Sequence, residues 1–469
     1  MIFRGCRPEV AAGPDGRILA VGDGARAAAG RDAVVHDLSG AAWPGLHDAH
    51  IHLEHLALGR LGLELEGISS RGRVLERVRA GGRRLPAGAW LVGRGWYNDE
   101  WLDDASWPRP EELDAVAGGR PVFLVRKDGH SAWLSTRAYS LAGIDPSVPV
   151  KETLVDQVRK LLPEPADDEF DRALSSELRA LARKGLTSVH SMDTPRAFRS
   201  LQRLHARRAL PLRVTWNLPA ADLAFAERIG IRSGWGDLQL RIWGVKAFLD
   251  GSLCSRTAEM LDGSGVAVLP QPELVEMVRR CAAAGLNVCL HAIGDGAVRR
   301  ALDALEPLTG SWVRWRPRIE HAQCVDPADL PRFQRVGAIA SMQPLHAVSD
   351  RELADREWGA RTASAYAWRR LAAAGAVLAF GSDAPVEDAD PLLGLTAATT
   401  WRRRANWHPE LALSRPAALR AYTSGAAYAA GMERAVGRLR PGYLCDLSVI
   451  DSGRVVATVV GGRFAWRRS

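Results

Sequence analysis

The sequence predicts an α/β fold: a (β/α)8 TIM barrel with a small β-sandwich built from both chain termini. Three observations carry this. Both ends of the chain are short apolar runs broken by Gly, Pro and Asp turns, a strand-and-turn pattern. The long middle alternates short apolar runs with amphipathic helical stretches, the signature of repeated βα units around a parallel sheet. Most of those runs carry a polar, often titratable residue at or near their end, which is where a barrel gathers its functional groups.

At the N-terminus, VAAGPDGRILAVG places a Pro-Asp-Gly turn between two apolar stretches and predicts a hairpin. At the C-terminus, GRLRPGYLCDLSVID and GRVVATVVGGRFAW repeat the pattern. Neither end can hold a core alone, so residues 1–44 and 432–469 are expected to form one discontinuous β-sandwich beside a barrel spanning 45–431. Within the barrel, TSVHSM (187–192) follows the helical SSELRALARKG, and LRIWGVKAFLDG (240–251) precedes a Gly/Ser-rich loop. LNVCLHAIGD (286–295) lies between helices LVEMVRRCAAAG and GAVRRALDALE, and PRIEHAQ (317–323), GAIASMQP (337–344) and AVLAFGSDAP (376–385) follow. The stretch at about 68–150, rich in Trp, Arg, Pro and Gly, fits this alternation poorly and reads as an inserted lid or subdomain.

With 469 residues, 47% hydrophobic and 25% charged, the chain has the composition of a globular protein rather than a disordered or membrane one. The opening MIFRGCRPEV lacks the features of a signal peptide, no apolar run reaches about 18 residues, and a cytoplasmic location is expected, with no membrane partner. Cys6, Cys254, Cys281, Cys289, Cys324 and Cys445 are scattered without a CxxC pair, the pattern of reduced core thiols. The net charge is +8, but acidic residues are interleaved with the arginines, so no nucleic-acid partner is expected. A small-molecule substrate and a homodimer are the expected partners. Only five of 62 basic residues are lysine, which makes Lys246, inside an apolar strand, stand out.

The strongest local signal is PGLHDAHIHL (44–53). In a strand, residues i and i+2 share a face, so His50 and His52 can ligate one cation; two bystander histidines are the plain alternative. His291, His321 and Asp383 lie at strand ends and Lys246 within a strand, so convergence at the barrel mouth would bring all six together. Imidazole and carboxylate suit a divalent ion such as zinc. The sequence has neither GxSxG nor a Walker A segment, which agrees with attack by metal-activated water.

PGLHDAHIHL, GRGWYNDEW, RKDGHSAWLS, GLTSVHSMD, GVKAFLDGSLCSRTAEML, HAIGDGAV, RIEHAQ, SMQPLHAVSD and GSDAPVEDADPLLG follow one another in order. With them, essentially the whole chain resembles the amidohydrolase superfamily, in its family 3 (YtcJ-like, N-substituted formamide deformylase-like) branch. The resemblance implies a distorted barrel with a β-sandwich and a binuclear centre, one ion on His50 and His52 and another on His291 and His321. It also implies Asp383 as a ligand of the first ion and general acid/base, and Lys246 carboxylated and bridging; an unmodified lysine near a single ion is the alternative. The implied reaction is hydrolysis of an amide-like C–N bond, possible variants being an ester, a cyclic amidine, an aminopurine-type substrate, or a silent binding protein.

Further substrate-side candidates are Trp96, Asn98, Trp101, Asp128 and His130 from the insert, His190 and His346 near barrel strand ends, and Asp250 and Arg256 after Lys246. Packing or capping explains several of them equally well. Relatives carry a longer Gly-rich loop where this chain has only DPSVPVK (145–151), so the resemblance implies a more open site here.

Overall fold

The computed structural model describes residues 1–83, 85–310 and 315–468. They fall into two compact units, Met1–Glu54 with Leu174–Leu253 and Thr257–Ser469, and His55–Ala173 with Cys254–Arg256.

The first unit contains an eight-stranded parallel sheet in strict chain order: β1 (Leu46–Ile51), β2 (Leu186–Ser191), β3 (Arg213–Pro219), β4 (Leu240–Phe248), β5 (Asn287–Ala292), β6 (Arg318–His321), β7 (Ile339–Met342) and β8 (Val377–Phe380). The chain beyond β8 nearly closes the ring. Asp383 N donates to His50 O at 2.7 Å, His52 N donates to Ala384 O at 2.8 Å, and the Asp48 carboxylate accepts from both the amide and the hydroxyl of Ser382. Helices follow the strands as the alternation requires. Pro195–Ala206 is capped by Thr194 and buries Ala197, Leu201 and Leu204, and Gln271–Ala284 stops at Gly285, whose φ of 70° suits a left-handed helix end.

Six strands coincide with expected runs and β1 carries the HxH pair, but β3 was not expected. Its sequence, RVTWNLP, lacks an apolar run because Thr215 and Asn217 are polar, yet both are fully buried. Asn217 lies 3.4 Å from the Cys289 thiol on β5, two strands away, so it points into the barrel. The interior is polar elsewhere too. Arg318, fully buried on β6, donates to Ala49 O on β1, His190 Nδ1 on β2 and Ser341 Oγ on β7. A strand facing such an interior loses the hydrophobic signature that normally reveals it.

The two termini join as expected. Ile2–Arg4, Val10–Ala12, Ile18–Val21 and Val35–Asp37 form one four-stranded sheet, with the Pro-Asp-Gly hairpin between the second and third. Ala41–Pro44 pairs with Leu447–Asp451 in a second sheet completed by Arg454–Val460 and Arg463–Arg467. Phe3, Val10, Ile18, Leu447, Val449 and Val459 share one core, so each terminus supplies half of the apolar surface that the other needs. Arg213, the first residue of β3, clamps this sandwich to the barrel through Asp446, with Nε–Oδ2 at 2.7 Å and Nη2–Oδ1 at 2.9 Å.

The second unit is built on a mixed five-stranded sheet: Val150–Lys151, Ser131–Leu134, Val122–Arg126, Leu91–Trp96 and Leu63–Glu64, in that spatial order. Helices Arg71–Gly82 and Pro110–Ala117 cover a core containing Trp96, Trp101 and Trp133, and a second core gathers Phe123, Tyr139 and Val155. Among the described residues no helix is long and apolar enough to cross a membrane.

Candidate metal centre

Four of the six expected ligands meet at the C-terminal ends of the barrel strands, around Asp383. Its Oδ1 lies 3.1 Å from His52 Nε2 and 3.5 Å from His50 Nε2, and its Oδ2 is 4.0 Å from His321 Nδ1. A fourth imidazole, His346, brings Nε2 to 3.6 Å of Oδ2. His50, His52 and Asp383 form one group able to hold an ion, and His321, His346 and Asp383 another. Asp383, just beyond β8, and His321, the last residue of β6, have φ of 63° and 72°, left-handed conformations that cost non-glycine residues energy.

Hydrogen bonds hold the imidazole rings. His50 Nδ1 is 2.7 Å from Glu320 Oε2, so the Nδ1 proton is donated there and the Nε2 lone pair is left facing Asp383. His321 Nδ1 donates to Gln343 Oε1 at 2.9 Å. His52 lies against Asp193, whose Oδ2 accepts from Leu53 N and the Ser191 hydroxyl; burial pushes this carboxyl up to about 6. Burial pushes His50 down to about 4 and His321 well below its ordinary value. Burial alone would raise Asp383, but the imidazoles of His50, His52 and His321 outweigh it and hold the carboxyl well below the usual range. Neutral imidazoles and an ionised carboxylate are the metal-binding forms.

An ion bound at about 2.0–2.2 Å in a tetrahedron holds its ligand atoms about 3.3–3.6 Å apart. The separations of 3.1, 3.5 and 3.6 Å around Asp383 bracket that spacing. His50 Nε2 and His346 Nε2 are buried and have no hydrogen-bond partner, so a cation is what this donor set fits.

The other two expected ligands are less directly engaged. His291 packs on His321, ring centroids 4.5 Å apart, and its Nε2 donates to Gly251 O at 2.9 Å. Lys246 is buried, with Nζ hydrogen-bonded to nothing and 4.7 Å from the centre of the Phe248 ring. Burial lowers its pKa, against the opposing charges of Glu320 and Asp383.

The substrate-side candidates scatter. Trp96 and Trp101 sit in the apolar core of the second unit, the Trp96 indole donating to Leu124 O. Arg126 engages both Asn98 Oδ1 and Asp128 Oδ2, and Asp128 Oδ1 accepts from His130 N. His130 Nδ1 is 2.9 Å from Glu152, and Arg256 lies in the same unit with a φ of 58°. His190 is buried inside the barrel against Arg318. Asp250 caps the turn after β5, accepting from Ile293 N, Gly294 N and Glu259 N, and burial pushes it up to about 7. Sequence reasoning missed Glu320, Gln343 and Asp193. Glu320 had a legible signal, since Arg318 and Glu320 stand at i and i+2 in RIEH and therefore share one strand face as a charge pair.

Residues 34–464 match the amidohydrolase family, and the chain belongs to it. It is 30% identical to Protein LONG AFTER FAR-RED 3 of Arabidopsis thaliana, over 90% of this chain and 81% of that protein. It is 26% identical to the N-substituted formamide deformylase of Arthrobacter pascens, over 93% of this chain and 88% of that one. The crystal structure of an uncharacterized metal-dependent hydrolase from Pyrococcus furiosus shares 30% identity and superimposes with a TM-score of 0.78, covering 96% of this chain and 97% of the other.

Proposed function

We propose that the chain is a metal-dependent hydrolase that cleaves the C–N bond of an amide-like small molecule, an N-substituted formamide or another N-acyl compound. The observation that carries this reading is the placement of Asp383, whose two carboxylate oxygens each face a pair of imidazoles. The similarity to a formamide deformylase supports the substrate class. His50, His52 and Asp383 would hold one ion, with zinc the metal of choice for this donor set. A bound divalent ion lowers the pKa of water to about 7 and polarises a carbonyl oxygen.

The side chains supply the rest. Asp383, ionised and buried just beyond β8, would accept the proton of the attacking water at one oxygen and return it to the departing nitrogen. Glu320 holds His50 in the tautomer whose Nε2 lone pair faces Asp383, and Gln343 fixes the His321 ring through Nδ1. Lys246, whose pKa burial lowers, would in its neutral form add carbon dioxide at Nζ with loss of one proton, and the carbamate would join His291 and His321 in holding an ion.

Asp383→Asn tests the assignment. Hydrolysis in a panel of formamides, N-acyl amines and esters should fall by about 10²-fold or more while the variant stays folded. Full activity in that variant would end the role assigned to Asp383, and turnover of esters alone would move the substrate class.

A further inference from the structure

Strand β4 is buried along its whole length except at its last residue, Phe248, which is 45% exposed. Residues i and i+2 share a strand face, so Phe248 stands on the face of Lys246, whose ammonium feels the charges of Glu320 and Asp383. The ring contacts agree. The Phe248 centroid is 5.0 Å from that of His291, its partner in register on β5, and 4.7 Å from Lys246 Nζ. A phenyl ring half open to solvent therefore stands beside two of the expected ligands.

A single exposed apolar side chain on a protein surface needs no explanation. Phe248 is not alone. The segment after β4 folds back along it, Val268 N donating to Leu249 O at 2.8 Å and Val266 N to Thr257 O at 3.1 Å, and Val266 and Val268 are 49% and 51% exposed. Open apolar surface next to a few imidazoles, a lysine and a carboxylate is the make-up of a small-molecule site, in which apolar walls give affinity and the polar groups fix orientation. The phenyl ring has no proton to move and no lone pair to give, so its part is contact. Its exposed area is what an apolar group of a bound molecule would cover.

We propose that Phe248 is a specificity-determining residue, whose ring contacts an apolar substituent next to the scissile bond. The inference rests on the hydrolase reading above and adds to it the feature of the substrate that the site selects, an uncharged alkyl or aryl group of several carbons. That group is carried on the nitrogen or on the acyl carbon, and the test separates the two.

The test is steady-state kinetics of the full chain, supplied with zinc, on two homologous series: formamides lengthened on nitrogen from methyl to pentyl, and N-methyl amides lengthened by the same steps on the acyl carbon. In one series kcat/KM should rise about 2–4-fold per methylene, chiefly through KM, as apolar contact made equally in ground and transition states requires. The series that rises identifies the side. In Phe248→Ala the pentyl-to-methyl ratio of kcat/KM should fall by about 10-fold or more. Phe248→Gln keeps bulk beside His291 but replaces the ring with an amide; it should lower the ratio likewise, and it carries the test if the alanine variant does not fold. A ring that only supported His291 and Lys246 would slow every substrate equally and leave the ratio unchanged. The inference is overturned if both variants keep the wild-type ratio, or if wild type hydrolyses amides with no dependence on chain length in either series. A wild type that hydrolyses no member of either series overturns the amide reading itself, and this inference with it.

Discussion

Replacing Glu320 with Gln changes charge but hardly any volume inside the barrel, and two separate effects should follow. Glu320 is fully buried, with Oε1 2.8 Å from Arg318 Nε, and Oε2 3.1 Å from Arg318 Nη2 and 2.7 Å from His50 Nδ1. Burial would raise its carboxyl, but the Arg318 guanidinium and then His50 outweigh it and hold it well below the usual range. In the variant Arg318 stays buried with only neutral acceptors among these contacts, Ala49 O, Ser341 Oγ and His190 Nδ1. Breaking a buried pair from one side costs about 3–5 kcal/mol, and the remaining acceptors argue for the lower end. The second effect is on the metal. A glutamine can offer N–H to His50 Nδ1, which moves the ring proton to Nε2 and removes the inward lone pair. Outer partners of ligating histidines are worth about 10–100-fold in metal affinity, or about 1.4–2.7 kcal/mol. Urea unfolding of chelated protein reads the first effect, and zinc competition reads the second. Because the folded-state pKa of Glu320 is depressed, its stabilisation is fully present above the unfolded value of about 4.3 and is lost as pH falls toward the folded value. The stability gap between wild type and Glu320→Gln should therefore be constant from neutral pH to about 5 and close in stronger acid. Metal affinity within twofold of wild type would refute the orienting role, and a gap that widens in acid would refute the assigned charge state.

Two further expectations concern the scaffold. Arg213→Ala leaves Asp446 buried without its guanidinium and should lower the urea stability of the first unit by about 3–5 kcal/mol, whereas Arg213→Ala with Asp446→Ala should recover part of that loss; equal losses in the single and double variants would argue against the clamp. Burial pushes the Cys6 thiol up to about 11 and the Cys281 thiol up to about 12, and Cys324 and Cys445 are raised beyond that. A thiol reagent at pH 8 should therefore titrate Cys254 alone in the native protein and six thiols after denaturation; rapid native reaction at Cys281 would contradict its burial.

The sequence by itself determined the barrel, the two-ended sandwich and the His and Asp set around Asp383. Each is written in local pattern: turn residues between apolar runs, alternation of strand and helix, and titratable residues at strand ends, such as His291 and Asp383. The strand Arg213–Pro219 was illegible because its inward residues are Thr215 and Asn217, and a polar barrel interior erases the apolar run. What only the tertiary structure decided is how the imidazoles are aimed. Glu320 acts on His50 from 270 positions away, and Gln343 meets His321 from a neighbouring strand's end. Trp96 and Trp101 read equally well as pocket walls or as core, and packing placed them in the core. Periodicity reports which face a residue occupies, but the tautomer of a histidine depends on a hydrogen-bond partner that the chain brings up only when it folds.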